Sequence, residues 1–203
     1  MSTTEAIEIQ VAFSPLLHQY TVEEFWELPE PDGGWHYDLI GGVLCMVPPP
    51  DPPHGDLDWR MKSSLVRFLD NHGNPGSVYH PREAIYVDGT SVEPDMMYVS
   101  HELAAKMGKR RTSADIVFEY LSKSTAVYDR THKADTYLAL GVRELWLIDP
   151  VSVTIEVRHS VMPAAAGGWP KWEVVVYGRG EEAESRVLPD WRVSVSQLFE
   201  GLV

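Results

Sequence analysis

Two carboxylates of this sequence stand where a carboxylate is costly. Glu119 lies inside Asp115-Ile116-Val117-Phe118-Glu119-Tyr120-Leu121, an apolar run that reads as a strand. Asp95 follows Pro94 in a second strand-like run, Val92 to Val99, where the proline argues for a strand edge or a bend. Burying an ionised glutamate is strongly unfavourable unless a cation lies beside it. Two such carboxylates on neighbouring strands suit a hard divalent ion, because Mg²⁺ takes oxygen ligands and keeps several of its waters. The chemistry on offer is phosphodiester hydrolysis, with a water made nucleophilic and charge neutralised on the scissile phosphate and leaving oxygen. The same spacing supports a plainer reading, in which Asp95 is a turn residue and Glu119 pairs with an arginine.

A lysine is available nearby in the chain. Asp129, Lys133 and Tyr137 are spaced i, i+4, i+8 and share one face of a helix that begins directly after the Glu119 strand. Lys133 either forms a surface pair with Asp129 or reaches across to the carboxylates. His54 heads another helix, where it is either exposed or close to a phosphate. Asp38, in a hairpin, is as suited to backbone amides as to a metal. Glu93 shares the period-two face of Asp95 and either approaches the same ion or faces solvent. The single cysteine, Cys45, sits in an apolar run and reads as a small core residue rather than a nucleophile. The tryptophans, Trp146 and Trp172 among them, read as packing residues rather than base-stacking platforms.

These side chains need a scaffold, and the pattern supplies one. Thr21 and Glu24 form a capping box that opens a short helix ended by Pro29. His36 to Ile40 and Val43 to Val47 flank Gly41-Gly42 as a hairpin. Leu57, Met61 and Leu65 recur at helical spacing over His54 to Asn71. Strands are expected at Ser77 to Val87, Val92 to Val99 and Ile116 to Ser122, with a short helix and loop over His101 to Arg111. A helix from Ala126 to Leu140 ends at Gly141, and Arg143 to Ile148 forms a further strand. Val153 to Val157, Trp172 to Tyr177 and Ser185 to Leu188 read as antiparallel strands, and Val195 to Leu202 as a final helix. The mixture predicts an α/β fold, a mixed central sheet flanked by helices with extra antiparallel strands. Residues 1–19 read as a loosely ordered arm and 20–203 as a single domain.

The sequence of 203 residues is long enough to build a core without disulfides. The N-terminal ten residues lack the basic and apolar regions of a secretory signal, and no apolar run approaches a membrane span, which predicts a soluble cytoplasmic protein with no membrane partner. The formal net charge of −13 runs against the usual basic face of a nucleic-acid binder. Lys106, Lys109, Arg110 and Arg111 form the strongest basic patch, read first as a solvated loop and second as a phosphate contact.

Together these residues resemble the Uma family, restriction-endonuclease-like proteins of the PD-(D/E)xK superfamily, from about Tyr20 to Phe199. The resemblance is carried in order by Tyr20-Thr21-Val22-Glu23-Glu24-Phe25, Tyr37-Asp38-Leu39-Ile40-Gly41-Gly42, the stretch from Pro48 to His54, and Glu93-Pro94-Asp95. It continues through Phe118-Glu119-Tyr120-Leu121-Ser122-Lys123-Ser124-Thr125, then Asp129, Lys133 and Tyr137, and finally Gly141 to Asp149. It implies the superfamily's three-layer core and a nuclease site in which Asp95, Glu119 and the backbone carbonyl of Tyr120 hold Mg²⁺ or Mn²⁺. Lys133 then orients water or stabilises charge, with Asp38, His54, Asp129 and Tyr137 as accessory residues and DNA as the substrate. The superfamily's lysine two positions after the glutamate is replaced here by Leu121, so Lys133 takes its place and Lys123 is the rival. The family's usual glutamate near the first hairpin is Asp38. A degenerate fold that binds nucleic acid or a protein without cleaving is the alternative, and a small phosphorylated substrate a third. The resemblance also leaves a homodimer open.

Overall fold

The computed structural model describes residues 18–163 and 167–202, so most of the expected N-terminal arm lies outside the described residues. The chain forms α1 (Val22–Trp26), β1 (His36–Ile40), β2 (Val43–Val47), α2 (His54–Asn71), β3 (Gly76–Tyr79), β4 (Ile85–Val87), β5 (Thr90–Val92), β6 (Met96–Ser100) and α3 (His101–Met107). It continues with β7 (Ile116–Tyr120), α4 (Ala126–Tyr128), a π-helical turn (Asp129–Lys133), α5 (Ala134–Ala139), β8 (Glu144–Asp149), β9 (Thr154–Val161) and β10 (Lys171–Tyr177). The last elements are β11 (Glu182–Glu184), β12 (Arg192–Ser194) and α6 (Val195–Leu198).

Six strands form the central sheet in the order β10-β9-β8-β7-β6-β3. Only β7 and β8 run parallel there, so the chain between them must cross over, and α4, the π turn and α5 make that crossing. Every residue of β7 is buried, which explains its unbroken apolar run. Its alternation divides the core in two. Ile116, Phe118 and Tyr120 pack with Leu57, Met61, Leu65 and Leu69 of α2 and with Trp191 and Phe199. Val117 and Leu121 pack on the other side with Ala134 and Tyr137 of α5 and with Ile85 and Val92. Helix, sheet, helix is the expected three-layer arrangement. Glu119 has the parity of the second face, so the sheet aims it at α5.

A second, four-stranded sheet runs β2-β1-β5-β4, all antiparallel. Gly41 and Gly42 both hold positive φ (57° and 81°) in the two-residue turn between β1 and β2, the conformation that matches the twist of a hairpin. The capping box at Thr21 forms as expected, Glu24 donating its amide to the threonine hydroxyl and accepting the Thr21 amide.

Several elements depart from the sequence reading. The strand expected over Val92 to Val99 is two strands in different sheets, β5 and β6, because Pro94 has no N–H to donate and the chain changes sheets across Glu93-Pro94-Asp95. Asp95 therefore lies at a joint rather than in a strand, and Glu93 does not share a strand face with it. Ser77 to Val87 likewise divides into β3 and β4, with Arg82 at a positive φ of 74° between them. Ser185 to Leu188 is a turn rather than a strand: Glu144 accepts hydrogen bonds from the Ser185 hydroxyl and from the Arg186 and Val187 amides. The helix expected over 126–140 contains the π turn, and the final helix is short. Trp146 and Trp191 are core residues and Trp172 is half-buried, but Trp26, Trp35, Trp59 and Trp169 are exposed, against the packing role expected of the tryptophans. Cys45 is half-buried rather than a core residue. No described helix is long and apolar enough to cross a membrane.

Candidate active site

The open end of β7 is where the expected site residues meet. Beyond Met96 and Phe118 the pairing of β6 with β7 stops, and the Asp95 carboxylate takes over: its Oδ2 accepts the backbone amide of Tyr120 at 2.8 Å. Its other oxygen, Oδ1, lies 3.1 Å from Nε2 of His54, the first residue of α2. Burial pushes the Asp95 carboxyl up, but His54, the Lys133 ammonium and the Tyr120 amide outweigh it and hold the group below its ordinary value. His54 in turn is held above its usual range, since Asp95 and Asp58 more than offset its own burial. The His54 ring also meets Tyr120 edge to face, with centroids 4.9 Å apart.

Glu119 is almost fully buried, at 2% exposure, and its counter-charge comes from the crossing helix. The Lys133 ammonium, itself 3% exposed, lies 3.0 Å from Oε1 and 3.1 Å from Oε2. Tyr137, one turn further along, donates its hydroxyl to Oε1. Lys133 also donates to the backbone carbonyl of Glu93 at 3.2 Å and stands 3.7 Å from Asp38 Oδ2. Asp38 is fully buried; its Oδ1 accepts the Glu93 amide at 2.9 Å and its Oδ2 accepts the Tyr128 hydroxyl at 3.1 Å. Of the two readings of Asp38, the amide-binding one describes this geometry. Lys133 and Asp38 together clamp the backbone of Glu93, and so fix the joint that carries Asp95.

The charges do not balance locally. Burial works to strip the proton from Lys133, yet Glu119, Asp38, Asp129 and Asp95 all lie near enough to drive its pKa above the ordinary lysine value. One ammonium cannot serve four carboxylates. Burial raises Glu119 well above its usual range; Lys133 opposes this, while Asp95 and Asp129 add to it. Asp129, 4% exposed on the π turn, is raised by burial to about 6, against the pull of Lys133.

A surplus of buried acid beside one lysine is a donor set that a divalent cation fits. Each carboxylate oxygen of Asp95 and Glu119 has only one or two polar partners, and a carboxylate offers about four lone-pair sites. Mg²⁺ needs only one or two protein carboxylates, with waters completing its shell. Among the described residues no three His, Cys, Asp or Glu side chains make a ready cage, so the fit is to this sparser type of site.

These groups open into a cavity of about 420 Å³, lined by Asp95, Glu119, Tyr120, Asp129, Lys133, His54 and Glu93. The run Pro48 to Pro53 forms one wall and Pro150-Val151 contributes another. Lys123, the rival lysine, lines the cavity too but is exposed and outside the ion pairing that Lys133 makes with Glu119. Tyr137 and Asp38 stand behind the cavity, holding residues that line it. The basic patch contributes nothing here: Lys106 pairs with Glu102, and Arg111 pairs with Glu83 while lying over the Tyr79 ring.

Sequence reasoning passed over two residues. His36 lines the cavity with a buried Nε2 that has no hydrogen-bond partner. Its position two residues before Asp38 on β1, hence on the same strand face, was the signal available. Tyr128 left none, because its bond to Asp38 exists only once α4 packs against the first hairpin.

Comparison with known proteins agrees with this architecture. A model of the Uma2 family, described as "Putative restriction endonuclease", matches residues 22–196. Among solved structures the chain is similar to one described as "a putative nuclease belonging to DUF820 from Anabaena variabilis ATCC 29413", at 18% identity and a TM-score of 0.71, over 91% of this chain and 99% of that one. At that identity the likeness establishes the restriction-endonuclease-like fold. No curated protein matches.

Proposed function

This chain belongs to the Uma2 family, and we propose that it is a divalent-metal-dependent nuclease that hydrolyses DNA phosphodiester bonds in the cavity at the end of β7. The observation that carries the reading is the buried Glu119–Lys133 pair opening into the same cavity as Asp95. Asp95, Glu119 and the carbonyl of Tyr120 are the groups that would hold Mg²⁺ or Mn²⁺. Such an ion supplies positive charge to the phosphate and a water of lowered pKa.

The protein's own contribution is to fix charge in advance. The Tyr120 amide and His54 keep Asp95 ionised and oriented. Tyr137 and Lys133 hold the Glu119 carboxylate against the end of the sheet. Lys133, anchored by the Glu93 carbonyl, is a preorganised cation beside the place where phosphate charge grows, and it orients water or stabilises that charge. In hydrolysis the water oxygen gives up a proton as it bonds to phosphorus, the bond from phosphorus to one bridging oxygen breaks with its electron pair, and that oxygen takes up a proton and leaves as an alcohol. His54, lining the cavity next to Asp95, is placed to assist with that proton.

The test compares plasmid and single-stranded DNA incubated with Mg²⁺ or Mn²⁺ and wild-type protein, Asp95→Asn or Glu119→Gln. Cleavage by the wild type and its loss in both variants is the expected result. Cleavage that persists in both variants removes these carboxylates from the mechanism. No cleavage by any protein, with nucleic acid still bound, favours a binding module; the missing lysine at Leu121 and the −13 charge are the features on its side.

A further inference from the structure

A phosphodiester has to reach Asp95 and Glu119 through the cavity, and the cavity limits what can be attached to it. Its volume of about 420 Å³ falls in the range of pockets that enclose one small ligand. One wall is the proline-rich segment from Pro48 to Pro53, and Pro150-Val151 and the segment from Leu121 to Thr125 face into the same space.

Charge points the same way. Proteins that hold a duplex neutralise several phosphates with lysine and arginine, and these contacts set the register on the helix. Among the described residues the lysines and arginines lining this cavity are two, Lys123 and Lys133, and Lys133 is already paired with Glu119. Asp51, Glu93 and Asp129 also line it, so a row of phosphates laid across the mouth meets acid rather than base.

The basic patch does not line the cavity, and Lys106 and Arg111 are already paired with acids. β6 runs away from Asp95, so α3 with Lys106 lies at the opposite end of the central sheet. Five-residue strands put roughly 16 Å between the two ends. Arg111, whose carbonyl accepts the Tyr86 amide of β4, sets its guanidinium over Tyr79 and is held by Glu83.

Resting on the hydrolytic reading above, we infer that the substrate is an unpaired stretch of nucleic acid, a single strand or a flap, that places one nucleotide in the cavity. The phosphate sits against Asp95, Glu119 and Lys133, and the sugar and base lie along the proline wall. The interior of a duplex is not a substrate, because its phosphates cannot enter without the flanking pairs being opened.

The test uses wild-type protein with Mn²⁺ and four end-labelled or chromogenic substrates: a single-stranded oligonucleotide, the same sequence as a blunt duplex, a duplex with an unpaired flap, and bis-(p-nitrophenyl) phosphate. Single strand and flap are expected to be cut at least about 10-fold faster than the duplex interior, with flap cleavage confined to unpaired positions. A bulky change in the wall, Pro49→Trp, is expected to slow single-strand cleavage more than hydrolysis of the small diester. Equal cleavage of duplex and single strand overturns this inference and leaves the nuclease reading standing. Hydrolysis of the small diester with no cut in any oligonucleotide overturns both and leaves a hydrolase of small phosphodiesters. Absence of turnover on all four substrates overturns the hydrolytic reading, and this inference with it.

Discussion

Lys133 is held between Glu119 and Asp38 with almost no contact with water. Removing one partner of a buried pair leaves the other as an uncompensated charge, so Lys133→Met is expected to destabilise the fold by about 3–5 kcal/mol in urea melts near pH 7. The deficit shrinks at lower pH, where Glu119 takes up a proton. An unchanged melting midpoint would show that Glu119 does not depend on Lys133. Asp129 gives a second test. Its folded value of about 6 lies above the ordinary 3.8, so between roughly pH 4 and 6 the native state holds a proton that the unfolded chain has released. Stability therefore falls as pH rises through that window, and the penalty is complete above it. Asp129→Asn carries no such slope, and its stability relative to wild type should rise by about 2–3 kcal/mol between pH 4 and pH 7. At this scale the sequence was informative. Asp95, Glu119 and Lys133 stood out because charge among apolar neighbours, or at a fixed helical spacing, is visible in the chain. His36 and Tyr128 act through contacts between distant elements, which spacing does not record.

Elements place these residues, and one turn far from the cavity shows how. Glu144, at the start of β8, is 1% exposed and accepts bonds from Ser185, Val187 and the Trp146 indole, with His159 3.2 Å away. Burial pushes its carboxyl up, but His159, Ser185, Trp146 and Val187 outweigh it and hold it below the ordinary 4.5. Its contribution is thus present above that value and lost as pH falls through the folded one. Glu144→Leu strands these donors and should cost about 3 kcal/mol or more, with a change in tryptophan fluorescence as Trp146 and Trp191 repack. Retention of wild-type stability would mean that the turn holds itself. This is why Ser185 to Leu188 failed to become the expected strand: its Arg186 and Val187 amides are taken by a side chain 42 and 43 residues away. The break at Pro94 was half legible. The missing N–H argued for a bend, but only the fold shows that the bend transfers the chain between sheets and turns Asp95 toward Tyr120. The π turn at Asp129–Lys133 had no signal in the helical spacing, which a regular helix satisfies equally well.

For the whole molecule, the net charge of −13 and a basic patch outside the cavity lining leave local contacts to hold nucleic acid. Log K for a single-stranded oligonucleotide should fall with log salt at a slope no steeper than about −2, as for two or three neutralised phosphates. A steeper slope would reveal a basic track elsewhere on the surface. The three-layer core was legible because its buried strands and amphipathic α2 carry strong patterns, whereas of the second sheet only the β1-β2 hairpin was, since β4 and β5 are three residues each. The proposed site requires Asp95 and Glu119 to hold one divalent ion between them, which calorimetric titration of Mn²⁺ into wild type, Asp95→Asn and Glu119→Gln would reveal. Wild type is expected to bind one ion per chain with release of protons, with affinity weakened about 10-fold or more in each folded variant. Equal Mn²⁺ affinity in wild type and both variants would contradict the proposed site.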